Sequence, residues 1–143
     1  MNIDDLIRIL HENKLSCVIL TKDGSVMQYH RRGVIDLYEL LRDAPETLAG
    51  ATIADKVVGR GAAALMVLGK IKRLHTGVLS RLALELLQRA GIETTYDTLV
   101  DNIINRSSDD ICPVEKLTSK AQTAQEALPL IKQFIDKMAA INK

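Results

Sequence analysis

The chain has 143 residues, of which 47% are apolar and 26% charged, enough apolar material for one packed domain and far from the composition of a disordered chain. Lysine and arginine number 19 against 18 acidic residues, so the net charge of +1 offers none of the positive field that a nucleic-acid groove needs. With no Trp, one Phe and three Tyr, there are also too few aromatics for a base-stacking platform.

From Ile3 onward, Leu6, Ile7, Ile9 and Leu10 recur at helical spacing behind the acidic pair Asp4 and Asp5, which predicts an opening helix to about Asn13. The β-rich segment 16–21, the turn dipeptide Asp23-Gly24 and the segment 25–30 predict an antiparallel hairpin. A helix is expected over 35–42, followed by a connector over 43–50 that contains Pro45. Residues 55–68 are apolar almost all round and are read as one buried helix beginning at Asp55, its Gly59, Gly61 and Ala62-Ala63-Ala64 allowing close packing. A strand over 74–79 follows, Ser80 is placed to cap a helix over 81–90, and Gly91 to stop it. After a short strand over 92–96 come an expected helix over 99–104, a turn at Cys112-Pro113, and a long helix over about 119–141 with Pro129 inside it. A hairpin followed by alternating strands and helices predicts a single domain over 1–143 of α/β class, a three-layer α/β/α sandwich with a mixed sheet.

The longest small-and-apolar run, 61–69, falls far short of the roughly 20 residues that cross a bilayer, and the acidic start of the chain is unlike a signal peptide. A cytoplasmic protein without a membrane partner is expected. In that compartment Cys17 and Cys112 are read as free thiols, one in the core and one exposed. His11, His30 and His75 are scattered, and without a Cys-x-x-Cys or His-x-x-x-His pair no zinc site and no cofactor are expected.

Two stretches carry candidate chemistry. At the expected start of the buried helix, Asp55-Lys56 would combine free backbone N–H groups, the helix dipole and a lysine into an anion site; equally, Asp55 would complement the dipole while Lys56 points to solvent. Further on, Asn105-Arg106 and Cys112-Pro113-Val114-Glu115 gather a fork donor, a thiol and a carboxylate. Pro113 suits a first helical position, which puts Cys112 at an N-cap where the dipole favours the thiolate, while Asp109 and Asp110 favour the thiol; the alternative is a buried cysteine anchoring the loop. The basic run 70–73 is read as a solvated surface.

The order of elements, with Ala54-Asp55-Lys56-Val57-Val58-Gly59-Arg60, Leu79-Ser80, and Asn105-Arg106 followed by Cys112-Pro113-Val114-Glu115, resembles the cytidine deaminase-like fold over about residues 16–118. Within that fold it is similar to a small prokaryotic family of uncharacterised function. The resemblance implies a pocket at the start of the buried helix. In zinc deaminases that position carries a His or Cys ligand and a proton-shuttling Glu, and the next helix start carries two cysteines. Here Ala54, Asp55 and Lys56 fill the first position, and Ser80 and Ala83 the second, so the resemblance carries the fold and the pocket position but not the deaminase reaction.

The leading expectation is a metal-free binding domain for a nucleotide-like or ribose-phosphate ligand. Asp55, Lys56, Ser80, Asn105, Arg106 and Glu115 would line its pocket: Lys56 and N–H groups for phosphate, Asp55 or Glu115 for ribose, Arg106 for an anion. One alternative is an enzyme acting on that ligand, with Cys112 as nucleophile or Asp55 and Lys56 as acid and base. Another is a structural or oligomeric module, and a homo-oligomer is expected in any case.

Overall fold

The computed structural model describes residues 1–31, 34–104 and 110–141. Helix α1 (Ile3–Glu12) starts on a capping box in which the Asn2 side chain accepts from Asp5 N while Asp5 accepts from Asn2 N. It leads into the hairpin β1 (Cys17–Leu20) and β2 (Val26–Tyr29), helix α2 (Ile35–Asp43) and a 3₁₀ turn (Pro45–Thr47). Then come β3 (Thr52–Val58), α3 (Arg60–Gly69), β4 (Arg73–Ser80), α4 (Arg81–Arg89), β5 (Glu93–Val100), α5 (Pro113–Thr118) and α6 (Ala124–Ile141).

The sheet has the order β2-β1-β3-β4-β5, with β1 antiparallel to both neighbours and β3, β4 and β5 parallel. Alternation along β1 divides the core: Val18 packs with Leu6 and Leu10 of α1, whereas Cys17 and Ile19 join the larger cluster formed with α2, α3, α4 and α6. Helices therefore cover both sides of a mixed sheet, as the alternation of elements predicts. Helix α3 is buried from Arg60 through Met66, in keeping with its all-round apolar sequence.

Three boundaries differ from the sequence reading. The segment 55–68 is not one helix: β-branched Val57 and Val58 continue β3, and Gly59, with extended backbone (φ −101°, ψ −177°), separates that strand from α3. Asp55 and Lys56 thus lie in a strand and not at a helix start. The helix expected over 99–104 does not form because Leu99 and Val100 pair with Leu79 and Ser80, extending β5, while Ile104 bridges Ile111. The long C-terminal helix starts at Ala124 and not at about 119, where the Thr123 hydroxyl caps it by accepting from Glu126 N at 3.1 Å, and a separate short helix, α5, follows Cys112 where only a turn was expected.

A crease crosses the parallel strands. On the face of the larger cluster the buried positions of β3 run Ile53, Asp55, then Val58, Ala54 being buried on the other face with α1; in β4 they run Leu74, Thr76, then Leu79, so both strands change phase between the same paired rows. On either side of the skipped row, Asp55 Oδ1 accepts from Val57 N at 3.2 Å and the Thr76 hydroxyl donates to Val78 O at 3.1 Å. Gly77 stands in that row because a Cβ there would lie 3.0 Å from the Lys56 carbonyl oxygen.

Helix α5 lies so close to α3 that a Cβ on Gly61 would meet Val114 Cγ1 at 2.5 Å. Gly61→Ala should therefore destabilise the fold by about 1–3 kcal/mol through overpacking, despite the better helix propensity of alanine, which a shift of the urea midpoint would measure.

Candidate functional site

The residues singled out in the sequence form two clusters. In the first, Asp55 sits in β3 opposite Cys17 of β1 and Thr76 of β4. Its side chain is buried, and burial raises its pKa to about 7, against hydrogen bonds from Val57 N, the Cys17 thiol and Lys56 N that favour the charged form. The Cys17 thiol is held well above its ordinary range by burial first and by the neighbouring Asp55 carboxyl second, so it stays protonated. Asp36 adds to that effect on Cys17 and itself accepts from Arg31 Nε at 2.7 Å, while Arg31 Nη2 donates to Glu39 at 2.7 Å. Lys56 and Val57 are exposed at the rim, and Lys56 N donates to Ser16 O at 3.0 Å.

The second cluster is built on Glu115, whose side chain is completely enclosed. Its Oε1 accepts from Arg60 N at 2.8 Å and from the Ser80 hydroxyl at 2.9 Å, and its Oε2 accepts from Ile103 N. Ser80 in turn accepts from Ala83 N at 3.1 Å and so caps α4, as its sequence position predicts. One carboxyl group therefore joins the first residue of α3, the cap of α4 and the segment after β5. It occupies the place at the α3 N-terminus where the sequence reading put an external anion.

Cys112 is the N-cap of α5, with Pro113 at the first helical position; it is half-buried, and Cys112 N donates to Ile103 O at 2.7 Å. Asp110 is engaged with Ile111 N and with Lys116 at 3.2 Å. Asn105, Arg106 and Asp109 lie outside the described residues. The structure thus joins Ser80 and Glu115 directly, links Cys112 to Glu115 by one hydrogen bond on each side of Ile103, and places Asp55 and Lys56 in a separate set of contacts with Ser16 and Cys17.

Sequence reasoning missed Arg60 and Cys17 as members of these clusters. The Arg60 guanidinium is buried and donates to Ala121 O at 2.7 Å and to Leu82 O at 2.8 Å, binding the start of α4 to the segment before α6. An arginine opening an otherwise apolar helix was the available signal. Cys17 becomes visible only once the hairpin is set in register against β3.

The donor set does not suit zinc. Ala54 and Ala83 offer no ligand atom, and the Ser80 hydroxyl is committed to Glu115 and Ala83 N. Among the described residues no three His, Cys, Asp or Glu side chains converge as metal ligands would, and no helix is long and apolar enough to cross a membrane.

A family profile described as a domain of unknown function, DUF1893 (TM1506), matches residues 5–135. The chain belongs to the DUF1893 family. The crystal structure of a DUF1893 family protein, TM1506 from Thermotoga maritima, is similar to this DUF1893 domain with a TM-score of 0.81 and 24% identity, covering 93% of this chain and 92% of that one. At that identity the likeness establishes the fold. No curated protein matches the chain.

Two outcomes follow from the clusters. Glu115→Ala should cost about 3 kcal/mol or more, because it strands the buried Arg60 N–H, and Glu115→Gln should cost less, because an amide oxygen still accepts; denaturant melts of the pair measure both. Asp55 is protonated in the unfolded chain only below about pH 4 but stays so to about 7 in the fold, so its contribution is intact at low pH and is lost as pH rises through that window. Wild type should lose up to about 4 kcal/mol between pH 4 and 7 from this group, which faces the Cys17 thiol, and Asp55→Asn should flatten the profile.

Proposed function

We propose that this DUF1893 domain is a metal-free small-molecule-binding domain on a cytidine deaminase-like scaffold, with its ligand seated beside Asp55 and Lys56. The observation that carries the reading is the place of Asp55 in the topology. Strand order reverses between β1 and β3, and Asp55 is on β3 at that boundary, paired with Cys17. In open α/β sheets, ligands gather outside the carboxyl ends of strands where the order reverses. A carboxyl group with a pKa of about 7 can donate to, or accept from, a polar ligand at neutral pH, and exposed Lys56 supplies a charge for phosphate. A nucleotide-like or ribose-phosphate ligand suits that combination.

The cytidine deaminase-like reading is supported by the strand order and by α3 and α4 both starting at the carboxyl ends of parallel strands. On that scaffold Glu115 and Ser80 act as supports: they close the two helix starts that a zinc deaminase opens to its metal. An enzyme is the second reading, favoured by a carboxyl group holding a proton near neutrality; it requires turnover with a pH profile that Asp55→Asn removes.

The test is thermal unfolding of wild type, Asp55→Asn and Lys56→Ala against nucleosides, nucleotides, dinucleotides and sugar phosphates. A ligand at 100 times its Kd adds about 2.7 kcal/mol, a rise of several degrees that both variants should lose. If no compound shifts the wild type, the two clusters are structural only and the reading falls.

A further inference from the structure

At the other end of the strands from Glu115, an open cleft of about 560 Å³ lies between the turn after β1, the segment before β3 and the segment before β4. Lys22, Lys70 and Lys72 line it together with Thr21, Thr52 and Gly50, and among the described residues its wall contains no carboxylate. All three lysines are exposed, and among the described residues none is in an ion pair. Asp23, the acidic neighbour in sequence, has its carboxyl turned to the Thr21 hydroxyl and to Ser25 N.

Three like charges line one cleft and repel each other, and the chain that carries them is fixed at the Lys22 stem and at the Lys70 and Lys72 backbones. The aliphatic chain of Lys22 lies across Gly50, so close that a Cβ there would sit 3.4 Å from Lys22 Cδ. Lys70 is left-handed (φ 64°, ψ 45°) at the end of α3, where glycine is the less strained choice. Its backbone is fixed by Gly50 N donating to Lys70 O at 2.9 Å, and Lys72 N donates to Ala51 O at 2.8 Å. The charge of Lys70 also complements the α3 dipole, which accounts for one of the three cations and not for their convergence.

We propose that this cleft binds a linear di- or triphosphate group, either inorganic or the tail of a nucleotide, with Lys22, Lys70 and Lys72 as its counter-charges. The site is independent of the one at Asp55. Its size is within the range of small-molecule clefts, and three cations with no ion-pair partner among the described residues line it.

The experiment is calorimetric titration of the full chain with inorganic tripolyphosphate and, separately, with adenosine triphosphate. Wild type should bind tripolyphosphate, Lys70→Gly and Lys22→Ala should each weaken it about tenfold or more, and Lys137→Ala, on the exposed face of α6 and outside both sites, should leave it unchanged. Lys70→Gly relieves the left-handed backbone, so its melting temperature should not fall and a loss of binding cannot be laid to unfolding. Equal affinity for both ligands identifies the phosphate chain as the whole determinant; tighter nucleotide binding that Lys70→Gly still weakens identifies a nucleotide tail. No binding by wild type at millimolar ligand, or binding undiminished in Lys70→Gly, overturns the proposal.

Discussion

The enclosed carboxyl group of Glu115 is the contact on which the carboxyl edge of the sheet depends. The N-cap position of α3 is Gly59, which has no side chain to cap the helix, and a Cβ there would come within 3.2 Å of Glu115 Oε1. The absent local cap is replaced by one that arrives 55 residues later in the chain. Because the same oxygen also accepts from Ser80, the start of α3, the cap of α4 and the first turn of α5 cannot move independently. Burying a carboxyl group is costly unless donors replace water, and here three do so.

Arg60 completes that junction from the other side. Its backbone N–H is held by Glu115, while its guanidinium, too far from half-exposed Glu85 for more than a 3.9 Å contact, is satisfied by main-chain carbonyls. A lysine could not reach Leu82 O and Ala121 O at once, since only the planar fork offers donors in both directions. The consequence for function is that both helix starts are already occupied by the protein's own groups.

Much of this was legible in the sequence where local chemistry and tertiary packing agree. The capping residues Asn2 and Ser80, the hairpin turn at Asp23-Gly24, the stop at Gly91 and Pro113 at the start of α5 all act through neighbours within a few residues. The chain over 55–68 misled because the end of β3 and the buried helix that follows it run together with only Gly59 between them; β-branched Val57-Val58 ahead of Gly59 was the sign of a boundary. Glu115 was picked out for its chemistry, but its partners lie 12, 35 and 55 residues away, and only the folded topology brings them together. The Lys22, Lys70 and Lys72 cleft was invisible for the same reason, since 70–73 alone reads as an ordinary basic turn.

The contrast between Glu115 and Asp55 shows how environment separates two buried carboxyl groups. Glu115 is met by donors drawn from three segments, and its geometry is that of a structural clasp. Asp55 is held chiefly by donors from its own strand and the weak thiol of Cys17, too little to offset its burial, so it retains its proton far above the ordinary carboxyl range. The crease in β3 and β4 begins directly after Asp55, which stays under the sheet's covered face. Ordinary alternation already sends Lys56 to the face opposite Asp55; the crease adds Val57 to the exposed positions and returns Val58 to the core.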